Sequence, residues 1–170
     1  MAGAHKKVII RLFSGGTVAG YLPGGGFVED GKVPLLDPSG KMNSFHINDI
    51  KLIAYVRDFN LGDTVEPERM GRRTFPARPR SEGLWMRMTF RDGDVLEGMA
   101  GLDLSLVEPM VQDGGLQVAP PDARSNTLRV FVPRTSLTAL ELLGLVTTAA
   151  QRKAATKPSR EPQPGLFGES

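Results

Sequence analysis

The chain has 170 residues with 21 Lys and Arg against 19 Asp and Glu, a length that suits one ordinary domain or two small ones and excludes a large multidomain enzyme. Hydrophobic residues at 40% and charged residues at 24% are globular values that exclude wholesale disorder, while 20 Gly and 13 Pro favour short strands and turns over a helical bundle. With no Cys there are no disulfides, thiolate zinc sites or Cys nucleophiles.

The N-terminal residues lead into Val8-Ile9-Ile10, which Arg11 interrupts, so no signal peptide is expected there. The longest weakly charged stretch, Thr135 to Ala150, contains Glu141 and Gly144 and falls short of the roughly 18 apolar residues of a span. A cytoplasmic protein without membrane insertion is the expectation. Val8, Ile10 and Leu12 alternate with the period of a half-buried strand, and Ser14-Gly15 supplies a turn. The returning strand closes at Gly20, where a bend or bulge is expected. Neither Ser14 to Gly20 nor Gly24-Gly25-Gly26 ends in Gly-Lys-Ser/Thr, so both read as turn and loop rather than phosphate loops. Asn43-Ser44-Phe45-His46-Ile47 and the apolar strand Ile50 to Val56 follow. His46 points opposite to its apolar neighbours, towards solvent.

Residues 59–80 hold Pro67, Pro76, Pro79, Gly62, Gly71 and five arginines, and they read as a linker or strap. Beyond it the opening pattern recurs. Met86 to Gly98 lies over Val8 to Gly20 at an offset of 78, with Asp92-Gly93 as the hairpin turn. Asn126-Thr127-Leu128-Arg129-Val130 lies over Asn43 to Ile47 at an offset of 83, which places a five-residue insertion between Gly101 and Pro121. Leu137 to Leu145 then reads as a closing strand, with a short helix as the alternative. After Gly144 a run to Ala155 suits a short helix before Pro158, Pro162 and Pro164 force an extended tail.

The expected fold is therefore mainly β. Two tandem small SH3/Sm-like β-barrels, residues 1–60 and 83–146, are joined by an Arg/Pro-rich linker at 61–82 and followed by a short helix and disordered tail at 147–170. Charge divides along the same lines. Residues 1–65 carry +1, residues 66–80 carry +3, residues 81–146 carry −4 and residues 147–170 carry +2. The second barrel is acidic, which disfavours a nucleic-acid-binding face there.

Catalytic groups are sparse. His5 and His46 are the only histidines, no Ser sits in a Gly-x-Ser-x-Gly elbow, and Asp92 and Asp94 flank a turn glycine. No enzyme activity, cofactor or metal is expected. The arginines Arg69, Arg72, Arg73, Arg78 and Arg80 suit binding of a phosphate or an acidic partner, with a solvated strap as the alternative. Arg69-x-x-x-Arg73 resembles the Arg-x-x-x-Arg motif of PilZ domains, which implies cyclic di-GMP as a ligand. The companion Asp/Asn-x-Ser-x-x-Gly motif has its nearest counterpart at Asp103 to Glu108, where Glu108 replaces Gly.

In the tail, Gln163-Pro164-Gly165-Leu166-Phe167 resembles the Q-x-x-L-F peptides that dock on the bacterial DNA polymerase sliding clamp, with Gln163, Leu166 and Phe167 as the partner-binding residues. The Asp-Gly-x-Val-Leu-x-Gly turn at Asp92 to Gly98 resembles Sm-like and other small SH3-type barrels. A wider resemblance, over residues 7–145, is to an uncharacterised bacterial family with a duplicated barrel that often accompanies PilZ or receiver domains. It is carried by Asp49 to Phe59, Val95 to Gly98 and Ser125 to Val132. It implies a non-catalytic signalling or adaptor module that binds another protein. A cyclic di-GMP receptor and a clamp-associated or RNA-binding protein are the alternatives.

Overall fold

The computed structural model describes residues 5–147, and the expected C-terminal helix and tail lie outside them. Ten strands run in order: β1 Lys6–Leu12, β2 Thr17–Leu22, β3 Lys32–Leu36, β4 Met42–His46, β5 Ile50–Val56, β6 Gly83–Phe90, β7 Val95–Ala100, β8 Gly115–Val118, β9 Thr127–Pro133 and β10 Leu137–Val146. A helix, α1 (Leu104–Asp113), separates β7 from β8, and 3-10 turns at Ile47–Asp49 and Arg134–Ser136 precede β5 and β10. The described chain is mainly β, and none of its helices is long and apolar enough to cross a membrane.

The strands form a seven-stranded sheet, β4-β3-β2-β1-β5-β9-β8, and a three-stranded sheet, β10-β6-β7. Neither sheet closes, which corrects the expectation of two barrels. The reason lies at β5. Its second edge pairs with β9 of the other half, Ile53 opposite Phe131 and Tyr55 opposite Arg129, instead of bending round to β4. The two sheets meet at one bridge between Met99 and Ala119, with hydrogen bonds of 3.0 and 2.8 Å.

The pairing register of the first half returns in the second. Leu12 opposite Ile50, Ile10 opposite Ile53 and Val8 opposite Tyr55 are matched by Phe90 opposite Leu137, Met88 opposite Leu140 and Met86 opposite Leu142. The irregularity between Arg11 and Leu12 is matched between Leu137 and Ala139. The offset is 78 for β6 and β7, 83 for β8, and 87 for the second 3-10 turn and β10. It is also 87 for β9, because Lys32 opposite His46 is matched by Gly115 opposite Pro133. The expected overlay of Asn43 on Asn126 is therefore displaced by four residues, which enter in the connection between β8 and β9.

Gly20 and Gly98 are sites of close approach, and the pairing runs through both without a shift. A Cβ on Gly20 would lie 2.5 Å from Leu35 Cγ, and one on Gly98 would lie 2.7 Å from Val118 Cγ2. Each glycine lets the third strand of its half cross tightly over the second.

Two apolar cores result, and they share strands. Val8, Ile10, Ile53 and Tyr55 face one core together with Phe27, Leu35 and Phe131. Ile9, Leu52, Ala54 and Val56, on the opposite faces of β1 and β5, face the other core with Met86, Met88, Phe90, Leu96 and Val130. The expected half-buried β1 is thus buried on both faces, because the second sheet covers the side that an isolated barrel would leave wet. Phe131 of β9 fills the first half's core, stacked edge-on against Phe27 at 5.0 Å between ring centroids.

Candidate interaction surface

The arginine strap is tied into the fold. Pro67, Glu68, Met70 and Pro79 are buried, and Met70 joins the second core. Glu68, with no exposed surface, takes both a 2.5 Å and a 2.8 Å bond from the Arg11 guanidinium, while its carbonyl accepts from Thr127 Oγ1 at 2.7 Å. The pairing with Glu68 raises the Arg11 pKa above its ordinary value. Arg69 bonds Asp63 at 3.3 Å and Arg73 bonds Glu66 at 3.2 Å, so each arginine of the Arg-x-x-x-Arg pattern has a carboxylate of the strap itself beside it. Arg78 donates to the Leu145 carbonyl at 3.0 Å, and Arg72 and Arg80 are exposed. Arg69, Arg73 and Arg78 are thus each held by a different partner. Gln163, Leu166 and Phe167 lie outside the described residues.

The polar groups at the junction of the halves are also engaged. Lys51, buried in β5, bridges Asp92 at 2.7 Å and Asp94 in the turn between β6 and β7. Burial opposes ionisation of Asp92, but the Lys51 ammonium and the Asp94 N–H outweigh it and hold its carboxyl below the ordinary value. Arg91 and Phe13 occupy matching positions at the 78 offset, and they stack with the guanidinium carbon 4.0 Å from the ring centroid. Ser136 Oγ donates to the Lys51 carbonyl at 2.7 Å. In the second half the buried Glu97 carboxylate accepts from Phe75 N, Trp85 Nε1 and Arg87 at 2.9–3.3 Å. Among the described residues no three His, Asp or Glu side chains converge in a way that could hold a metal ion.

Sequence reasoning missed α1. Asp103 caps its N-terminus, accepting from Ser105 N at 2.9 Å and Ser105 Oγ at 2.5 Å, and Gly114 ends it in the left-handed conformation. The Asp-x-Ser pattern that resembled a ligand motif is thus a helix cap. At the other end the buried Asp113 accepts from Phe27 N at 2.8 Å and Val28 N at 2.9 Å, fastening the helix to the loop that follows Gly24-Gly25-Gly26. Leu106 packs inward on the core, whereas Leu104, Val107, Met110 and Val111 are exposed, Val111 to 78%. Leu104, Val107 and Val111 fall on one helical stripe. Met110 also lines an apolar groove of about 370 Å³ with Gly115, Leu116, Val132, Leu137 and Leu140. In the first half the corresponding connection is a loop without a helix.

Behind α1, a cleft of about 460 Å³ opens between the helix, the Gly24-Gly25 loop and β5, with Tyr55 and Arg129 on its wall. Burial pushes the Tyr55 phenol up to about 12. Because the folded value lies above the unfolded one near 10, the stabilisation is whole below pH 10 and is lost as pH rises towards 12. Urea unfolding is expected to lose about 2–3 kcal/mol across that window, and Tyr55→Phe is expected to remove that part of the loss.

This surface belongs to two halves matched in register, and a family-level comparison covers both. Residues 4–144 match DUF6982, a family of unknown function. The chain belongs to this family. The DUF6982 match takes in the strap, α1 and both sheets, and it stops before the C-terminal tail. No curated protein and no solved structure matches the chain.

Proposed function

We propose that the chain is a non-catalytic protein-interaction module built from two fused copies of one five-strand unit, of which the second carries α1 as its docking face. The observation that carries this reading is α1 itself, an inserted helix whose apolar stripe has no cover among the described residues. Leu102, Leu104, Val107, Met110 and Val111 make up five of the twelve large apolar side chains that stand exposed among the described residues. Such clustering marks an interaction site, whereas single exposed apolar residues need no explanation. The duplication rests on the repeated register and on Gly20 and Gly98 in matching roles. The non-catalytic part rests on the carboxylates, since Glu68, Glu97 and Asp113 are all consumed by structural hydrogen bonds.

The partner is a protein segment that is apolar on its docking side and basic at its rim. Residues 104–113 contain no Lys or Arg, Asp103 and Glu108 are exposed beside the stripe, and the half that carries α1 is acidic. An adaptor role in signalling, as the family resemblance implies, fits within this reading.

The test compares the full chain with a Val107→Glu/Val111→Glu variant. Both positions are exposed, so stability is expected to stay within about 0.5 kcal/mol of wild type. A protein captured by the wild type and then purified is expected to bind the variant at least about tenfold more weakly in direct titration. Equal binding by the variant would overturn the docking role of α1.

A further inference from the structure

The succession of paired strands runs β4-β3-β2-β1-β5 and then β9-β8, the bridge, β7-β6-β10. Inside the chain, the fifth strand of the first half pairs with the fourth strand of the second. Among the described residues the fourth strand of the first half, β4, and the fifth strand of the second, β10, each lack that partner and form the two ends of the array. We infer that β10 of one chain pairs with β4 of a second copy, repeating between molecules the β5–β9 junction within one. This goes beyond the α1 reading and uses other residues.

The register is given by the existing junction. Ile53 opposite Phe131 and Tyr55 opposite Arg129, moved by 87, become Leu140 opposite Ser44 and Leu142 opposite Met42 of the second copy. Leu142 is 62% exposed, Met42 60% and Leu140 52%, so the positions that would meet are those where large apolar side chains now stand in water.

The backbone is poised as well. Asp37 N bonds Lys41 O at 2.8 Å and Ile47 N bonds Gly31 O at 2.9 Å, which sets the alternation of the β3–β4 ladder. In that phase the N–H groups of Met42, Ser44 and His46 turn away from β3. An edge with free donors and apolar side chains is a template for another strand. Because β4 and β10 are different surfaces, the contact is heterologous and builds a ring or a filament rather than a two-fold dimer.

Sedimentation velocity of the full chain over a wide concentration range is expected to show mass rising above the 18.4 kDa monomer. Ser44→Pro removes an outward N–H at an edge, where proline is tolerated, and Leu142→Lys places a charge on the opposite edge. Each is expected to hold the chain at monomer mass with an unchanged far-UV spectrum, and Val107→Glu/Val111→Glu is expected to assemble like wild type.

The chain has no Cys, so Met42→Cys and Leu142→Cys on separate molecules report the geometry directly. Oxidation of the mixture is expected to link one variant to the other, since directly opposed Cα atoms fall within the roughly 4.4–6.8 Å that a disulfide spans. Wild type that stays monomeric, assembly that survives both edge variants or is lost with the α1 variant, or either Cys variant linking as readily to itself would overturn the inference.

Discussion

Replacing Glu68 by Ala is expected to cost about 3–5 kcal/mol of unfolding free energy, among the largest effects of any single substitution in this chain. The carboxylate is fully buried, and its removal leaves the Arg11 guanidinium partly enclosed beside an empty site. Removing one partner of a buried pair costs far more than the pair itself contributes, because the remaining charge stays desolvated. Arg11→Met/Glu68→Leu is therefore expected to recover most of the loss, which urea unfolding of the two variants would measure. The same result bears on the strap. If residues 61–82 were a solvated connector, Glu68→Ala would shift the midpoint by less than about 0.5 kcal/mol.

Phe131→Ala carries the second large effect, also about 3–5 kcal/mol. Its interest lies in where the loss is felt. Phe131 belongs by sequence to the second half and packs in the core of the first, against Phe27, Ile53 and Tyr55. Ile9, Leu52 and Val56 make the reverse exchange. The two halves are thus expected to unfold in one transition. Trp85, the single tryptophan, lies in β6 and reports the second half, while Tyr21 and Tyr55 lie in the first. Trp fluorescence and near-UV absorbance of Tyr are expected to move together in the variant as in the wild type. Separate midpoints would show that each half keeps its own core.

These two residues also mark what could be read from the sequence. The alternation at Val8, Ile10 and Leu12, the turns at Ser14-Gly15 and Asp92-Gly93, and the closing strands Ile50–Val56 and Leu137–Val146 are local, and local signals suffice for them. Whether a barrel closes is not local. It depends on which strand takes the second edge of β5, and the side-chain pattern of β5 is compatible with either partner. The uninterrupted apolar run Leu52 to Val56, with Ile9 between Val8 and Ile10, did carry a hint, since burial on both faces requires a second layer.

Arg69 and Arg73 pair with Asp63 and Glu66 of the strap itself, and no motif in the sequence marks those carboxylates as partners. Helix α1 was within reach, given a capping Asp103 and a terminating Gly114. Pro109 in its interior and only ten residues of length hid it. The Lys51 bridge to Asp92 and Asp94 spans two halves of the chain, and nothing near Lys51 in sequence announces it.

Three surfaces compete as the place where a partner would bind: the α1 stripe, the strap arginines and the C-terminal tail. Hydrogen exchange on the full chain, alone and with a captured and purified partner, separates them in one measurement. Slowed exchange concentrated in residues 104–113, with residues 67–80 and 160–170 unchanged, is the expected result. Protection confined to the strap or the tail, with α1 exchanging as in the free chain, would contradict it.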